Sequence, residues 1–280
     1  MLIFTKIADL KAFLSEIKAK NQTVGFVPTM GALHNGHISL ISISKSACNI
    51  TVCSIFVNPT QFNDKADLKR YPRMPEKDAA FLENAGCDIL FLPSVEEIYP
   101  TGPVIETYDF GYLNSVLEGK YRPGHFNGVA QVVKRLFEIV EPDKAFFGSK
   151  DYQQVMIIKA LIKQMQSLIE IVNCPILREA DGLAMSSRNA LLNEEERHIA
   201  ALVPKIMREA KHIALSNGIK RAKDFVAAEI LKVPVMKLEY FEICTADLKE
   251  IEKIDPSIKA VALIAVFVGK IRLIDNLELN

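Results

Sequence analysis

Between residues 24 and 173 short β-type runs alternate with helical stretches, and few folds accommodate that order. Residues 24–30 and 50–58 (ITVCSIFVN) are β-type runs, the second stopping at Pro59, and residues 38–48 between them have helical spacing. The stretch 76–84 is helical and ends at Gly86, a residue suited to closing a helix. Residues 88–92 form another apolar strand, and 125–140 a long amphipathic helix closed by Glu141-Pro142. A strand at 144–147, a helix at 152–164 and a strand at 169–173 complete the series. The alternation predicts an α/β fold: a Rossmann-like parallel sheet flanked by helices, with right-handed crossovers. Such sheets bind ligands at the carboxyl ends of their strands.

The pattern changes near Cys174-Pro175. A loop rich in Ser, Arg, Asp and Gly leads into helical stretches at 194–216 and 222–231. β-rich runs follow at 237–244 and 259–274, the latter interrupted by a hairpin turn at Val268-Gly269-Lys270. The expected organisation is a domain at 1–175 and a smaller α+β domain at 176–280. Lys and Arg total 34 and so do Asp and Glu, so no net charge draws this chain to nucleic acid or an anionic membrane. A small-molecule partner fits better. The apolar run 260–269 is too short to span a bilayer, and the N-terminus, with Lys6, Asp9, Lys11 and Glu16, is wrong for a signal peptide. Five cysteines without a Cys-x-x-Cys pair read as reduced thiols of a cytoplasmic protein.

Four segments carry chemistry, and each falls at a strand end or in the adjoining loop. In the first (PTMGALHNGH, 28–37) Gly31 and Gly36 permit close backbone approach or positive φ. The next helix would aim free N–H groups at a phosphate, and His34 and His37 could donate to the same oxygens. Polar loop histidines or a metal pair remain alternatives, although His-x-x-His lacks the zinc-protease spacing. In the second, Met185-Ser186-Ser187-Arg188 offers hydroxyls and a guanidinium for a triphosphate. Asn193 before Glu194, Glu195 and Glu196 reads as a helix cap beside it. In the third, Lys150 could neutralise phosphate charge, with Gln154 one helical turn further into the same cleft. In the fourth, Asn58 and Gln61 are neutral groups that read hydroxyls and carboxylates, or simply form a turn.

These residues resemble a known family. His34-Asn35-Gly36-His37 looks like the His-x-Gly-His signature of class I aminoacyl-tRNA synthetases and nucleotidyltransferases, and Met185–Arg188 like their mobile Lys-Met-Ser-Lys-Ser loop. More narrowly, PTMGALHNGH, IFVNPTQF (55–62), YPR (71–73), EGKYRPGHFNGVAQVV (118–133), DYQQ (151–154) and READGLAMSSRN (178–189) are similar to the pantoate–β-alanine ligase family. The resemblance implies an ATP-dependent condensation of (R)-pantoate with β-alanine through a pantoyl adenylate, yielding pantothenate, AMP and diphosphate. It also implies Mg²⁺ accompanying ATP as substrate, and a cytoplasmic homodimer.

Carried over by position, Pro28, Thr29, Met30, Gly31, Ala32, Leu33, His34, Asn35, Gly36 and His37 would line the ATP site. Gly148, Ser149, Lys150, Asp151, Leu177, Met185, Ser186, Ser187 and Arg188 would complete it. His34, His37, Lys150 and Arg188 would be catalytic, His37 as a charge stabiliser before a proton donor. Gln61, Gln154 and Asn58 would hold pantoate, Gln61 would border the β-alanine site, and Asp78 would be the protein ligand of the metal. The chain departs from the family pattern at Lys77, at Ser149 and in the loop 63–67, which lacks a glycine. A nucleotidyltransferase acting on a phosphate monoester would need a more basic acceptor pocket. A regulatory or RNA-binding relative would not need the intact set His34, His37, Lys150, Ser186, Ser187 and Arg188.

Overall fold

β-Branched runs buried on both faces build a six-stranded sheet in the computed structural model, which describes residues 1–62, 68–69, 71–102 and 106–280. The loop 63–67 lies outside the described residues. The chain divides into two compact units, Met1–Ser149 with Gln153–Pro175, and Lys150–Tyr152 with Ile176–Asn280.

In the first unit the strands are β1 (Leu2–Phe4), β2 (Val24–Thr29), β3 (Ile50–Ile55), β4 (Ile89–Phe91), β5 (Lys144–Gly148) and β6 (Glu170–Cys174). They lie in the order β1-β4-β3-β2-β5-β6, every pair parallel. The helices are α1 (Ile7–Ala19), α2 (Asn35–Ala47), α3 (Pro75–Asn84), α4 (Val95–Ile98), α5 (Leu117–Tyr121), α6 (His125–Val140) and α7 (Tyr152–Gln164). A parallel sheet covered on both faces needs apolar side chains at successive positions. Val27 and Phe146 pack with Ile41 of α2 and Leu82 of α3, whereas their neighbours Phe26 and Phe147 meet Phe137 of α6 edge to face at 6.3 and 6.4 Å.

Between β2 and β5 the strand order reverses, and there the two strands part. Their ladder stops at Phe26↔Ala145, although β2 runs on to Thr29 and β5 to Gly148. Asp143 N–H donates to Val24 O on this side of β2, so alternation turns Phe26 and then Pro28 toward β5. Pro28 has no N–H to offer, and the ladder ends before it. The β2–β5 ladder therefore stops short at the switch point.

The sequence patterns and the observed elements differ at their edges. α2 begins at Asn35 rather than residue 38, because His34 caps it. β3 ends at Ile55, and the expected strand tail gives way to a 3₁₀ turn over Pro59–Gln61. β1 carries no pattern of its own; its pairing of Leu2 with Ile89 on β4 creates it. α6 ends as expected before Pro142, with Glu141 in the left-handed conformation (φ 47°).

The second unit has a three-stranded antiparallel sheet of β7 (Met236–Thr245), β8 (Ala260–Val268) and β9 (Ile271–Glu278), with β8 central. The turn at Gly269-Lys270 joins β8 to β9, as the sequence predicts. α8 (Glu194–Ala200), α9 (Leu202–Asn217) and α10 (Ile219–Leu231) contribute Ala200, Met207, Val226 and Ile230 to its core. The single helix expected over 194–216 is broken at Ala201. Pro204 explains the break, since its ring would strike the Ala200 carbonyl in a continuous helix. Among the described residues no helix is long and apolar enough to cross a membrane.

Candidate active site

The turn from β2 into α2 is held by two side chains, Thr29 and Asp78. Thr29 donates its hydroxyl to Ser54 O at 2.8 Å and accepts Gly31 N–H at 3.2 Å. Gly31 and Ala32 then take positive φ of 79° and 50°, bringing consecutive main-chain N–H groups to one side. Asp78 of α3 receives the next two: Ala32 N–H reaches Oδ2 and Leu33 N–H reaches Oδ1, both at 2.8 Å. A side chain at position 31 would place its Cβ 2.9 Å from the same carboxylate, so glycine is required there. The second left-handed residue is Ala32 rather than Gly36, which sits in the first turn of α2.

His34 and His37 close the helix start as a reciprocal cap. Gly36 N–H donates to His34 Nδ1 at 3.1 Å, and His34 N–H donates to His37 Nδ1 at 3.3 Å. The rings lie 4.0 Å apart between centroids, tilted by 41°. A nitrogen that accepts a hydrogen bond carries no proton, so each neutral ring has its N–H at Nε2. Both histidines are therefore donors through Nε2, suited to anionic oxygens. A metal would need that nitrogen stripped of its hydrogen, which the main-chain bonds to Nδ1 oppose.

Asn58, expected to touch substrate, is instead wholly buried and committed to the protein. Its Nδ2 donates to Gly128 O at 2.9 Å and to Gln61 Oε1 at 3.3 Å, and its Oδ1 accepts the Tyr99 hydroxyl at 3.1 Å. With Oε1 so engaged, Gln61 turns Nε2 toward Met30 Sδ, 2.7 Å away, joining the 58–61 turn to the β2–α2 turn. Gly128 of α6 makes this possible: a Cβ there would stand 2.3 Å from Thr60 O and 2.7 Å from Gln61 Cα. His125 Nδ1 lies 2.9 Å from Gln61 O on the same helix face. Arg73 donates to Tyr71 O and Leu68 O at 3.2 and 3.3 Å, bracing its own segment.

At the end of β5, beside β2, stand Gly148 and Ser149, whose hydroxyl lies 2.7 Å from Cys174 O and 2.8 Å from Asn173 Oδ1 on β6. Gln154 is half-buried in the first turn of α7. Its neighbour Gln153 is spent on Leu113 O, Val116 O and Glu118 N–H, so of the two glutamines only Gln154 is left for a ligand.

The second unit holds the remaining candidates. Lys150 Nζ is 3.9 Å from Asp151 Oδ1, and its side chain is largely covered. Met185 N–H donates to Leu177 O at 3.0 Å, closing a hairpin in which Arg178 bridges Ala184. Ser186 caps the turn Ser187–Leu191, its Oγ accepting Arg188 N–H at 3.3 Å. Arg197 braces this hairpin through Glu179 and Asp181 at 2.6 and 2.5 Å, and it holds the Asp181 carboxyl below its usual range. Asn193 caps α8 with Glu196, as the sequence implies.

Four of the five cysteines, Cys53, Cys87, Cys174 and Cys244, are buried. Desolvation pushes Cys87 and Cys174 up to about 11 and Cys244 up to about 12, so none carries a thiolate near neutrality.

A parallel sheet with a glycine-bearing strand–helix turn at its switch point defines the class: nucleotide-binding α/β enzymes. A family model for pantoate–β-alanine ligase matches residues 2–278. The pantothenate synthetase of Porphyromonas gingivalis is 48% identical over 279 residues, covering 99% of both chains. That of Bacteroides fragilis is 47% identical with the same coverage. The crystal structure of pantothenate synthetase from Thermus thermophilus superposes with a TM-score of 0.92 at 38% identity, over 100% of this chain and 99% of that one. Pantoate–β-alanine ligase from Francisella tularensis, complexed with beta-gamma ATP and β-alanine, gives 0.84 at 38% identity over 99% and 97%. The chain belongs to the pantoate–β-alanine ligase family. It is a ligase, and the reading of a phosphate-monoester transferase falls away.

Proposed function

We propose that this ligase works in two chemical steps through a pantoyl adenylate. The overall reaction is the ATP-dependent condensation of pantoate with β-alanine to pantothenate. In the first step the carboxylate of (R)-pantoate attacks the α-phosphorus of ATP and diphosphate leaves. In the second the β-alanine amine attacks the acyl carbon, AMP leaves with the bonding pair, and the amine gives up a proton.

The observation that carries this reading is the pair of imidazoles whose Nδ1 atoms both accept main-chain N–H. Their Nε2–H groups stabilise charge as it builds on the α-phosphoryl oxygens. Met30–His37, Gly148–Asp151, Leu177 and Met185–Arg188 form the ATP site, with Lys150 and Arg188 as fixed cations. The domain 1–175 binds nucleotide and pantoate, and 176–280 carries the 185–188 loop that closes over the triphosphate. Gln61 and Gln154 hold pantoate, and Gln61 borders β-alanine. Asn58 acts indirectly, by turning the Gln61 amide. Mg²⁺ arrives with ATP as part of the substrate. Asp78 accepts one main-chain N–H on each oxygen and so braces the turn, and no step is routed through a protein-bound metal. The family resemblance further supports a homodimer in the cytoplasm.

The test is isotope exchange between pyrophosphate and ATP with a panel of carboxylic acids and no amine. Pantoate-dependent exchange is the expected result, and exchange supported only by a phosphate ester would overturn the reading. Gly128→Ala tests the pantoate wall. Its methyl must displace the main chain of Thr60 and Gln61, at a stability cost of about 1–3 kcal/mol. Steady-state kinetics should show the pantoate KM raised about 10-fold, with a smaller change in the ATP KM.

A further inference from the structure

Two adjacent residues of β9 hold the two segments of the second unit to which phosphate binding is assigned above, around Lys150 and at the root of 185–188. Asp275 is buried and takes a two-pronged ion pair from Arg178, at 2.7 and 3.0 Å. The same guanidinium donates to Gly182 O at 3.0 Å and Asn276 O at 3.1 Å, tying β9 to the hairpin 178–184. Residues 185–188 follow directly from that hairpin, and β9 also packs against the turn Ser187–Leu191. Asn276 reaches a different segment: its Nδ2 donates to Lys150 O at 3.0 Å. The Tyr152 hydroxyl donates to Ala246 O at 2.9 Å, so Lys150–Tyr152 is pinned at both ends within this unit.

We propose that Asp275 and Asn276 are positioning residues for adenylation, Asn276 by fixing the main chain at Lys150 and Asp275 by fixing the root of the 185–188 loop through Arg178. This rests on the roles given above to Lys150 and Arg188. Lysine is a point charge on a flexible stem, so its reach is only as well defined as its backbone. Lys150 sits in the 3₁₀ turn Ser149–Asp151, too short to fix itself, and the Asn276 amide supplies the missing anchor. A partly buried ion pair such as Asp275–Arg178 adds little net stability, because desolvating the charges offsets much of their attraction. Its charge-assisted, two-pronged geometry sets orientation instead, here at the base of the loop.

The test is a pair of double-mutant cycles on pantoate-dependent pyrophosphate–ATP exchange, Asn276→Ala with Lys150→Ala and Asp275→Asn with Arg188→Ala. Each single β9 variant should lower the exchange kcat about 10-fold or more, with the pantoate KM held within about twofold. Combined with the loss of its cation, each should add less than about a further twofold, because the group it places has gone. If Asn276→Ala does not fold, Asn276→Asp keeps the shape, removes the donor and takes its place. Wild-type rates, or the same loss in both backgrounds, would overturn the inference. Absence of pantoate-dependent exchange in the parent protein would overturn the site reading itself, and this inference with it.

Discussion

Asp78→Ala should abolish adenylation and lower the unfolding free energy by about 2–6 kcal/mol, the cost of leaving two buried main-chain N–H groups without an acceptor at about 1–3 kcal/mol each. The Ala32 and Leu33 N–H groups are buried and their bonds to the carboxylate are both 2.8 Å long. Ala32 also holds a left-handed backbone (φ 50°), a strain on the order of 1–2 kcal/mol for a residue with a Cβ. Without Asp78 the turn can relax that strain by shifting its main chain, and His34 and His37 shift with it. The measurement is urea unfolding in EDTA beside the exchange assay. A carboxylate whose task was a metal ion would give the opposite result, because in EDTA its removal would leave stability unchanged or raised. Asp78→Asn should be almost as damaging, since its amide N–H₂ would face one of the two main-chain donors.

His37→Asn separates the two uses of that ring. Asparagine can offer an oxygen near the place of Nδ1 and so keep the bond from His34 N–H, but nothing then stands where Nε2–H stood. Stability should stay within about 0.5 kcal/mol of the parent, whereas the exchange rate should fall about 10²- to 10³-fold, the loss typical of one preorganised donor at a developing oxyanion. His37→Ala should lose the same rate and about 1 kcal/mol of stability besides, as the helix cap goes with the ring.

The prospects for engineering follow the same division. Substitutions that keep Nδ1-type acceptors at 34 and 37 preserve the turn, while those that keep only the outer N–H lose the cap and with it the aim of the donor.

Much of this protein is legible without coordinates. Alternation over residues 24–173 determined a parallel α/β sheet, because strands covered on both faces must be apolar throughout and their helices must return the chain. The motifs around His34, His37, Ser186, Ser187 and Arg188 pointed to a triphosphate site through their family resemblance, whereas the spacing of the two histidines alone left a polar turn or a metal pair open. Local signals, Glu141-Pro142 and the Gly269-Lys270 turn, marked ends that need no distant partner.

Tertiary structure decided which polar residues are spent on the fold. Asn58 and Gln61 look alike in sequence, yet Asn58 is consumed by Gly128 and Tyr99, 70 and 41 residues away. Asp78 accepts the main-chain N–H groups of Ala32 and Leu33, 46 and 45 residues away, a bracing role that nothing beside it in sequence announces. Arg178 and Asp275 are 97 residues apart, and no local pattern announces them as a pair. A hydrogen bond is directional and short, so its partner is settled by where the chain returns in space and not by what lies beside it in sequence.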